Sequence, residues 1–476
     1  MKFRSDLGPA ARRDGGWGAA AFAGLAVLEL LLVFMHSPWR DEEQALLIAQ
    51  QPVRALFDLL HYEGHPALWY LLLKAGTAVT SSPMALPFVQ AAVSLGTLTV
   101  LWRASPFTWP VKLLIGAGYF VLFEYGVIAR SYGLGALLFF TFVALRRSPW
   151  AWVVLALLAN VALHTAILAG ICAVWLISEG RWSRAGAATL AAGGLISLAT
   201  LWPAADLVRA LPLEGGWFAQ LLVALSWNSL SILPAWPIDA TPGWSTRTPA
   251  LASITLGALP PLLGAVALRR NRLHVLLFLA FYAGLFAVSA LVYTSFPRHF
   301  GLAAMLFIGL LWAQAEAGER LHPTAWAWLG IMAVGGAWFA ASALVQPFSN
   351  ARQLAAWIRS QGLEDQPWAS MPGYHGLTLA AQLGRPSYNL QKGCRDTFQR
   401  WDYNPEAPMS DADLAARLGA FSQAVNGGYL LTDRPRLPVT DATKVAGFAG
   451  GMFGQPLYVY RLAPGGPERR PPPDCR

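Results

Sequence analysis

Apolar stretches of helical length alternate with short polar breaks through most of the chain. They fall at about 17–35, 84–102, 110–128, 132–145, 149–163, 165–178, 185–202, 250–268, 273–292, 300–315 and 324–345. Several reach the ~20 residues that cross a hydrocarbon layer. The pattern predicts an α-helical multi-pass membrane protein with about eleven transmembrane helices. A further run, Ala67 to Thr80, is short and contains Lys74, which suits an interfacial or re-entrant segment. Trp217 to Leu233 is apolar but carries Gln220, Ser226 and Asn228, and is expected at headgroup depth, where aromatic residues concentrate. Beyond 345 the pattern becomes polar and mixed. Helical stretches (Ala351 to Ser360, Asp411 to Ala424) and strand-like runs (Gly428 to Thr432, Leu457 to Leu462) predict a small C-terminal α/β domain. The end of the chain, 464–476, is rich in Pro and Arg and reads as disordered. The domains are therefore 1–345, with a first outer loop at 36–80, and 346–476.

Composition agrees with the pattern. Of 476 residues 55% are apolar and 13% charged, against ~25% charged in soluble domains, and the mean hydropathy is +0.43. A soluble globule, a disordered chain, a collagen and a disulfide-stapled miniprotein are excluded. The net charge of +9 is a topology signal before it is a nucleic-acid signal. With Lys2, Arg4, Arg12 and Arg13 inside and 67–80 not crossing, the inner loops hold Arg103, Lys112, Arg146, Arg147, Arg181, Arg184, Arg269, Arg270, Arg272 and Arg320. The outer side of the bundle keeps Arg130, Arg209, Arg247 and Arg298. If 67–80 crossed, this bias would invert, so the N-terminus is expected in the cytoplasm and the C-terminal domain outside a plasma (inner) membrane. The run from Trp17 to Met35 is too long for a signal-peptide core and lacks a small-residue cleavage site, which makes it an uncleaved first span. Cys172 lies in an apolar run and reads as packing. Cys394 and Cys475 lie in the outer domain, where an oxidising compartment would let them pair, although spacing alone does not show reach.

Chemistry concentrates in the first outer loop. It reads Trp39-Arg40-Asp41-Glu42-Glu43, then two short helical stretches (Glu43 to Gln51, Val53 to Leu60) suited to the membrane surface, then His61-Tyr62-Glu63-Gly64-His65-Pro66-Ala67-Leu68-Trp69-Tyr70. Asp41 and Glu42 at a helix start would complement the helix dipole in any protein. Carboxylates and histidines gathered at an apolar boundary are also costly unless paired, and such groups are functional candidates. Glu63 and His65 could help to hold a divalent cation, but no metal-ligand spacing is complete. Glu29 lies inside the first span, with no partner evident in sequence.

These residues carry a resemblance. The Asp41-Glu42 pair, the His65-Pro66-Ala67-Leu68-Trp69-Tyr70 segment and Arg130-Ser131-Tyr132 at an outer span end resemble the GT-C glycosyltransferases, in the branch of protein O-mannosyltransferases and the lipid A aminoarabinose transferase. The likeness is good over about 15–145 and looser to 345. It implies transfer of a sugar from a polyprenyl-phosphate donor to an extracytoplasmic glycan, lipid or protein, with inversion. Asp41 falls where the family has its base. Ala67 stands where a second Pro is common, and His65 where the aminoarabinose branch often has Lys, which argues against aminoarabinose as the sugar.

The chemistry assigns roles. An acceptor hydroxyl needs a general base, for which Asp41 is the first choice and Glu42 the orienting partner or substitute. A leaving phosphate needs guanidinium groups in a dry site; Arg130 and Arg298 lie at outer span ends, where snorkelling, or for Arg130 a pair with Glu124, is the competing explanation. Glu63, His65, Trp69, Tyr70, Tyr132 and His164 are candidates to bind substrate; for His164 packing competes, and for Trp69 and Tyr70 an interfacial aromatic belt. A transporter or lipid flippase is the main alternative, but two related halves with broken spans are not evident. A non-catalytic assembly subunit would leave the acidic loop unexplained.

Overall fold

The computed structural model describes residues 15–80, 83–208, 216–232, 251–405, 407–452, 456–465 and 473–475. The basic N-terminal residues, Arg209 and Arg247 therefore lie outside the described residues. The first helices are α1 (Gly15–Met35), α2 (Arg40–Gln50), α3 (Val53–Glu63), α4 (Leu68–Val79) and α5 (Ala85–Ala104). Next come α6 (Trp109–Gly116), α7 (Ser131–Leu145), α8 (Ala151–Leu158), α9 (Leu163–Ser178) and α10 (Arg184–Leu201). The bundle continues with α11 (Gly216–Asn228), α12 (Leu251–Leu268), α13 (Arg272–Leu291), α14 (Pro297–Glu316) and α15 (Pro323–Val345).

Among the described residues seven helices are long and apolar enough to cross a membrane: α1, α5, α10, α12, α13, α14 and α15. α4, α7 and α9 are shorter apolar helices. Two of the runs expected to span are interrupted. The run at 110–128 divides into α6 and a π-helical turn at Phe120–Glu124. The break lies where α15 comes closest: a Cβ on Gly336 would sit 2.0 Å from the carbonyl oxygen of Ala117. The run at 149–163 is helical only over α8. Beyond it the Asn160 amide donates to the carbonyls of Ala156 and Gly193, and α9 starts anew with the Thr165 hydroxyl accepting the Ala162 N–H at 2.8 Å.

α14 is the axis of the bundle. It is buried almost along its length and packs against α7, α9 and α13. Pro297 at its first turn needs no N–H partner, and the His299 ring accepts the Phe296 N–H at 2.8 Å, which fixes where the helix begins. α11 packs against α12 and α13. Glu29 in α1 is placed against Ser94 of α5.

The first loop is helical, as its pattern suggested. α2 is buried from Glu42 to Ala49, packed between α4 and the C-terminal domain. That domain comprises α16 (Ala351–Ser360), β1 (Trp368–Met371), α17 (Gly376–Leu383), β2 (Ser387–Asn389), β3 (Cys394–Asp396), α18 (Asp411–Val425), β4 (Gly428–Thr432), β5 (Ala442–Phe448) and β6 (Leu457–Leu462). Its sheet runs β3-β2-β1-β4-β6-β5, with β1 parallel to both β2 and β4 and the other pairs antiparallel. Strand side chains alternate between faces. Leu430 and Tyr460 pack with Leu414, Leu418 and Phe421 of α18, while Leu431 and Val459 pack with Leu354 and Ile358 of α16 and Leu379 of α17. Cys394 and Cys475 form a disulfide, Cα atoms 5.0 Å apart, and Arg395 pairs with Asp474 at 2.9 Å. Residues 473–475 are thus fastened to β3 and are not a free end. The rest of the segment expected to be disordered, 466–472 and 476, lies outside the described residues.

Candidate functional site

The site forms where α2 begins. Glu42, with no exposed surface, is fully committed. One of its oxygens accepts the Trp39 N–H (3.0 Å) and meets the His36 ring (2.8 Å); the other accepts the Ala129 N–H at 2.7 Å. An acidic side chain reaching back to the chain just before a helix is a capping arrangement. Here it also fastens the segment ahead of α7 to the start of α2. Both oxygens being held, Glu42 positions its neighbours and is not placed to take a proton from substrate.

Asp41 and Arg130 therefore face each other. Arg130 adopts an extended backbone just before α7 and donates to Asp41 at 2.6 Å. The expected alternative pair is not formed: Glu124 accepts from the Tyr119 hydroxyl at 2.7 Å. The second guanidinium nitrogen of Arg130 lies 3.3 Å from His65 Nε2, and its face is 5.6 Å from the Trp39 ring centre. Arg40 approaches Asp41 from the other side at 3.6 Å. The Asp41 side chain remains 26% exposed and Arg130 11%, so the pair is reachable from solvent.

Arg298, 9% exposed at the start of α14, completes the cationic set. Its guanidinium acts on Asp41 and hydrogen-bonds the Tyr132 hydroxyl. Its carbonyl accepts from the Tyr125 hydroxyl at 2.5 Å, and Gln90 donates to the carbonyls of Tyr125 and Gly126. Burial alone would push the Asp41 carboxyl up, but Arg130, Arg40 and Arg298 outweigh it and hold the pKa below its ordinary value. Burial raises Glu63 to about 7, against hydrogen bonds from Gln44 (2.7 Å) and Tyr70 (3.3 Å). Burial, reinforced by Arg130 and Arg298, lowers His65 to about 3, so its ring is neutral. His65 Nδ1 is buried with no hydrogen-bond partner among the described residues.

The other predicted residues fall into two groups. Tyr132 and His164 belong to a ring network behind Arg298. The Tyr132 hydroxyl lies 2.8 Å from His299 Nε2, and His164 stacks on His299 with centres 4.0 Å apart and planes 10° apart. His164 also meets Tyr293 and Ser295 at 3.2 and 3.3 Å. Tyr70 supports Glu63, and Trp69 is a core side chain. Sequence reasoning passed over Arg40, Trp39, Tyr293 and His299. Arg40 and Trp39, directly before Asp41, and His299, adjacent to Arg298, offered a signal by position; Tyr293 offered none. Among the described residues no group of three or more His, Cys, Asp or Glu is arranged to hold a metal ion.

Next to Glu42 a cavity of about 360 Å³ opens between the end of α1 and the start of α5. Val33, Phe34, Leu86, Pro87 and Val127 give it apolar walls, and His36, Arg352 and Arg359 line its polar part.

An apolar bundle, a buried first-loop helix that carries Asp41 opposite Arg130, and a small α/β domain packed on that helix make up the fold. Solved structures share it. ArnT from Cupriavidus metallidurans, in the form bound to undecaprenyl phosphate, superposes with a TM-score of 0.55 at 13% identity over 95% of this chain and 99% of that one. The apo form gives 0.54 at 14% identity with the same coverage. At such identity the likeness establishes the fold. No family model and no curated protein matches the sequence.

Proposed function

We propose that the chain is an integral membrane glycosyltransferase that moves a sugar from a polyprenyl-phosphate donor to an extracytoplasmic acceptor, a cell-envelope glycan, lipid or protein, with inversion. The observation that carries the reading is the reachable Asp41–Arg130 contact, 2.6 Å long, in a cleft shared with Arg298. An aspartate so paired is ionised but a weak base. A donor phosphate would compete for Arg130, relieve Asp41 of its partner and raise its basicity where the acceptor arrives. The acceptor oxygen then bonds to the anomeric carbon as its proton passes to Asp41. The bond from that carbon to the phosphate breaks on the opposite face, and the polyprenyl phosphate leaves with its charge on Arg130 and Arg298.

His65, neutral and with an unsatisfied Nδ1, suits a sugar hydroxyl, and Glu63 and Tyr70 brace that wall. The apolar walls of the cavity beside Glu42 suit lipid chains. The disulfide supports an oxidising location for the C-terminal domain, as the charge bias of the loops does for a cytoplasmic N-terminus. Comparing lipid extracts of deletion and parent cells tests the reading. Accumulated polyprenyl-phosphate sugar with an envelope glycan lacking one residue is the expected result; an untranslocated lipid or accumulated solute would replace it with a transporter.

A further inference from the structure

The C-terminal sheet has a place where a ligand site is expected on topological grounds alone. From β1 the chain crosses through α17 to β2 on one side, while β4, reached later, lies parallel to β1 on the other. Successive connections thus leave in opposite directions at the carboxyl ends of β1 and β4, and in open α/β sheets ligands bind in the crevice so formed. A second cavity of about 360 Å³ lies there, within the ~300–1,000 Å³ range of small-molecule sites. It is lined by Tyr374 and Met371 after β1, Asp433 and Arg434 after β4, and Gln391 and Met409.

The walls are built. Gln391 accepts the Gly373 N–H (3.0 Å) and donates to the Pro405 carbonyl (2.8 Å), which ties two rims together. Arg434 holds the third by donating to the Met409 carbonyl and to Asp411, each at 3.0 Å. Asp433 stands 3.8 Å from His375 and keeps 27% of its side chain exposed. The cavity also adjoins the candidate active site. Arg40, 3.6 Å from Asp41, lies over the Tyr374 ring at 4.7 Å.

We infer that this crevice is a carbohydrate subsite, in which a neutral sugar residue of the acceptor lies against Tyr374 with its hydroxyls bonded to Asp433 and Arg434. An aromatic ring, a carboxylate and a guanidinium around a mostly polar hollow suit a hydroxylated ring better than a lipid chain or a phosphate, which Asp433 would repel. Saccharide binding is independent of catalysis; the assignment to the acceptor rests on the transferase reading.

The test uses the full chain in lipid nanodiscs, free of glycoside detergents, with methyl α-mannoside, methyl β-galactoside, cellobiose and chitobiose as probes. Saturation-transfer NMR should detect at least one of them. Met409→Trp, which fills the hollow, and Asp433→Asn, which removes the acceptor charge, should each weaken it by about tenfold or more, while Asp41→Asn leaves it unchanged. No signal from any probe overturns the subsite. So does a signal that both crevice variants retain, or one that Asp41→Asn abolishes, because the sugar would then lie in the cleft. Parent protein that binds a probe yet transfers no sugar sustains the subsite and refutes the transferase reading; transfer without probe binding does the reverse.

Discussion

Glu43 offers a perturbation whose size follows from the structure. Fully buried on α2, it accepts from the Thr378 hydroxyl at 2.7 Å and from the Gln382 amide at 3.0 Å, both on α17. Burial raises its pKa to about 7, against those two hydrogen bonds, with Glu42 adding a smaller push in the same direction. A carboxyl raised on folding binds its proton more tightly in the folded state. Its contribution therefore declines as pH rises from the unfolded value of ~4.5 through 7. Between about pH 6 and pH 8.5 the loss is roughly 1.5 kcal/mol. Glu43→Gln keeps the geometry, because its amide oxygen can accept from Gln382 and its nitrogen can donate to the Thr378 oxygen. The variant should thus lose this part of the pH slope and be more stable than the parent at pH 8.5. Glu63, also raised to about 7, has the same sign and remains in both proteins. Asp41, held low, loses its contribution only on acidification below this window. Thermal unfolding in nanodiscs at several pH values, followed by tryptophan fluorescence, makes the comparison. Parallel slopes for parent and variant would refute the reasoning.

Further outcomes follow from the cleft and the outer domain. Arg298→Ala should raise the KM for donor more than the KM for acceptor, with transfer falling on the order of 10²-fold; equal changes in both would remove its phosphate role. Arg130→Lys keeps a charge but cannot span Asp41 and His65 at once, so donor affinity should weaken while the protein stays folded, which donor titration monitored by thermal shift would show. Cys475→Ala should increase amide exchange around Cys394–Asp396 and destabilise the domain by up to about 4 kcal/mol, with transfer unchanged; unaltered exchange would mean that other contacts hold residues 473–475.

The sequence conveyed local structure well where period and punctuation coincide. α16 and the strands β4 and β6 fall where their patterns placed them, and α18 differs by one residue. It failed where tertiary contact overrides pattern. The 110–128 run is mostly apolar, with Lys112 and Glu124 near its two ends, and its break at residues 117–119 lies where Gly336 of α15 packs closely. α2 looks like a surface helix because Glu42, Glu43 and Gln44 are polar. Each is satisfied internally, Glu42 by Ala129 and Trp39, Glu43 by α17, and Gln44 by the Gln399 backbone. β1 and α17 are too short to register as periods. For the site, residue type and sidedness singled out Asp41, Arg130 and Arg298. Their pairing across 89 residues, and the commitment of Glu42 to structure, required coordinates.

The central claim is that Asp41 removes the acceptor proton in a cleft where Arg130 and Arg298 hold the donor phosphate. Asp41→Asn in reconstituted protein tests it most directly, with sugar transfer and polyprenyl-phosphate binding measured on the same preparation. Transfer should fall by about 10²–10⁴-fold while phosphate binding is retained or tightened, because Arg130 loses its competing carboxylate. Transfer at the parental rate would contradict the claim.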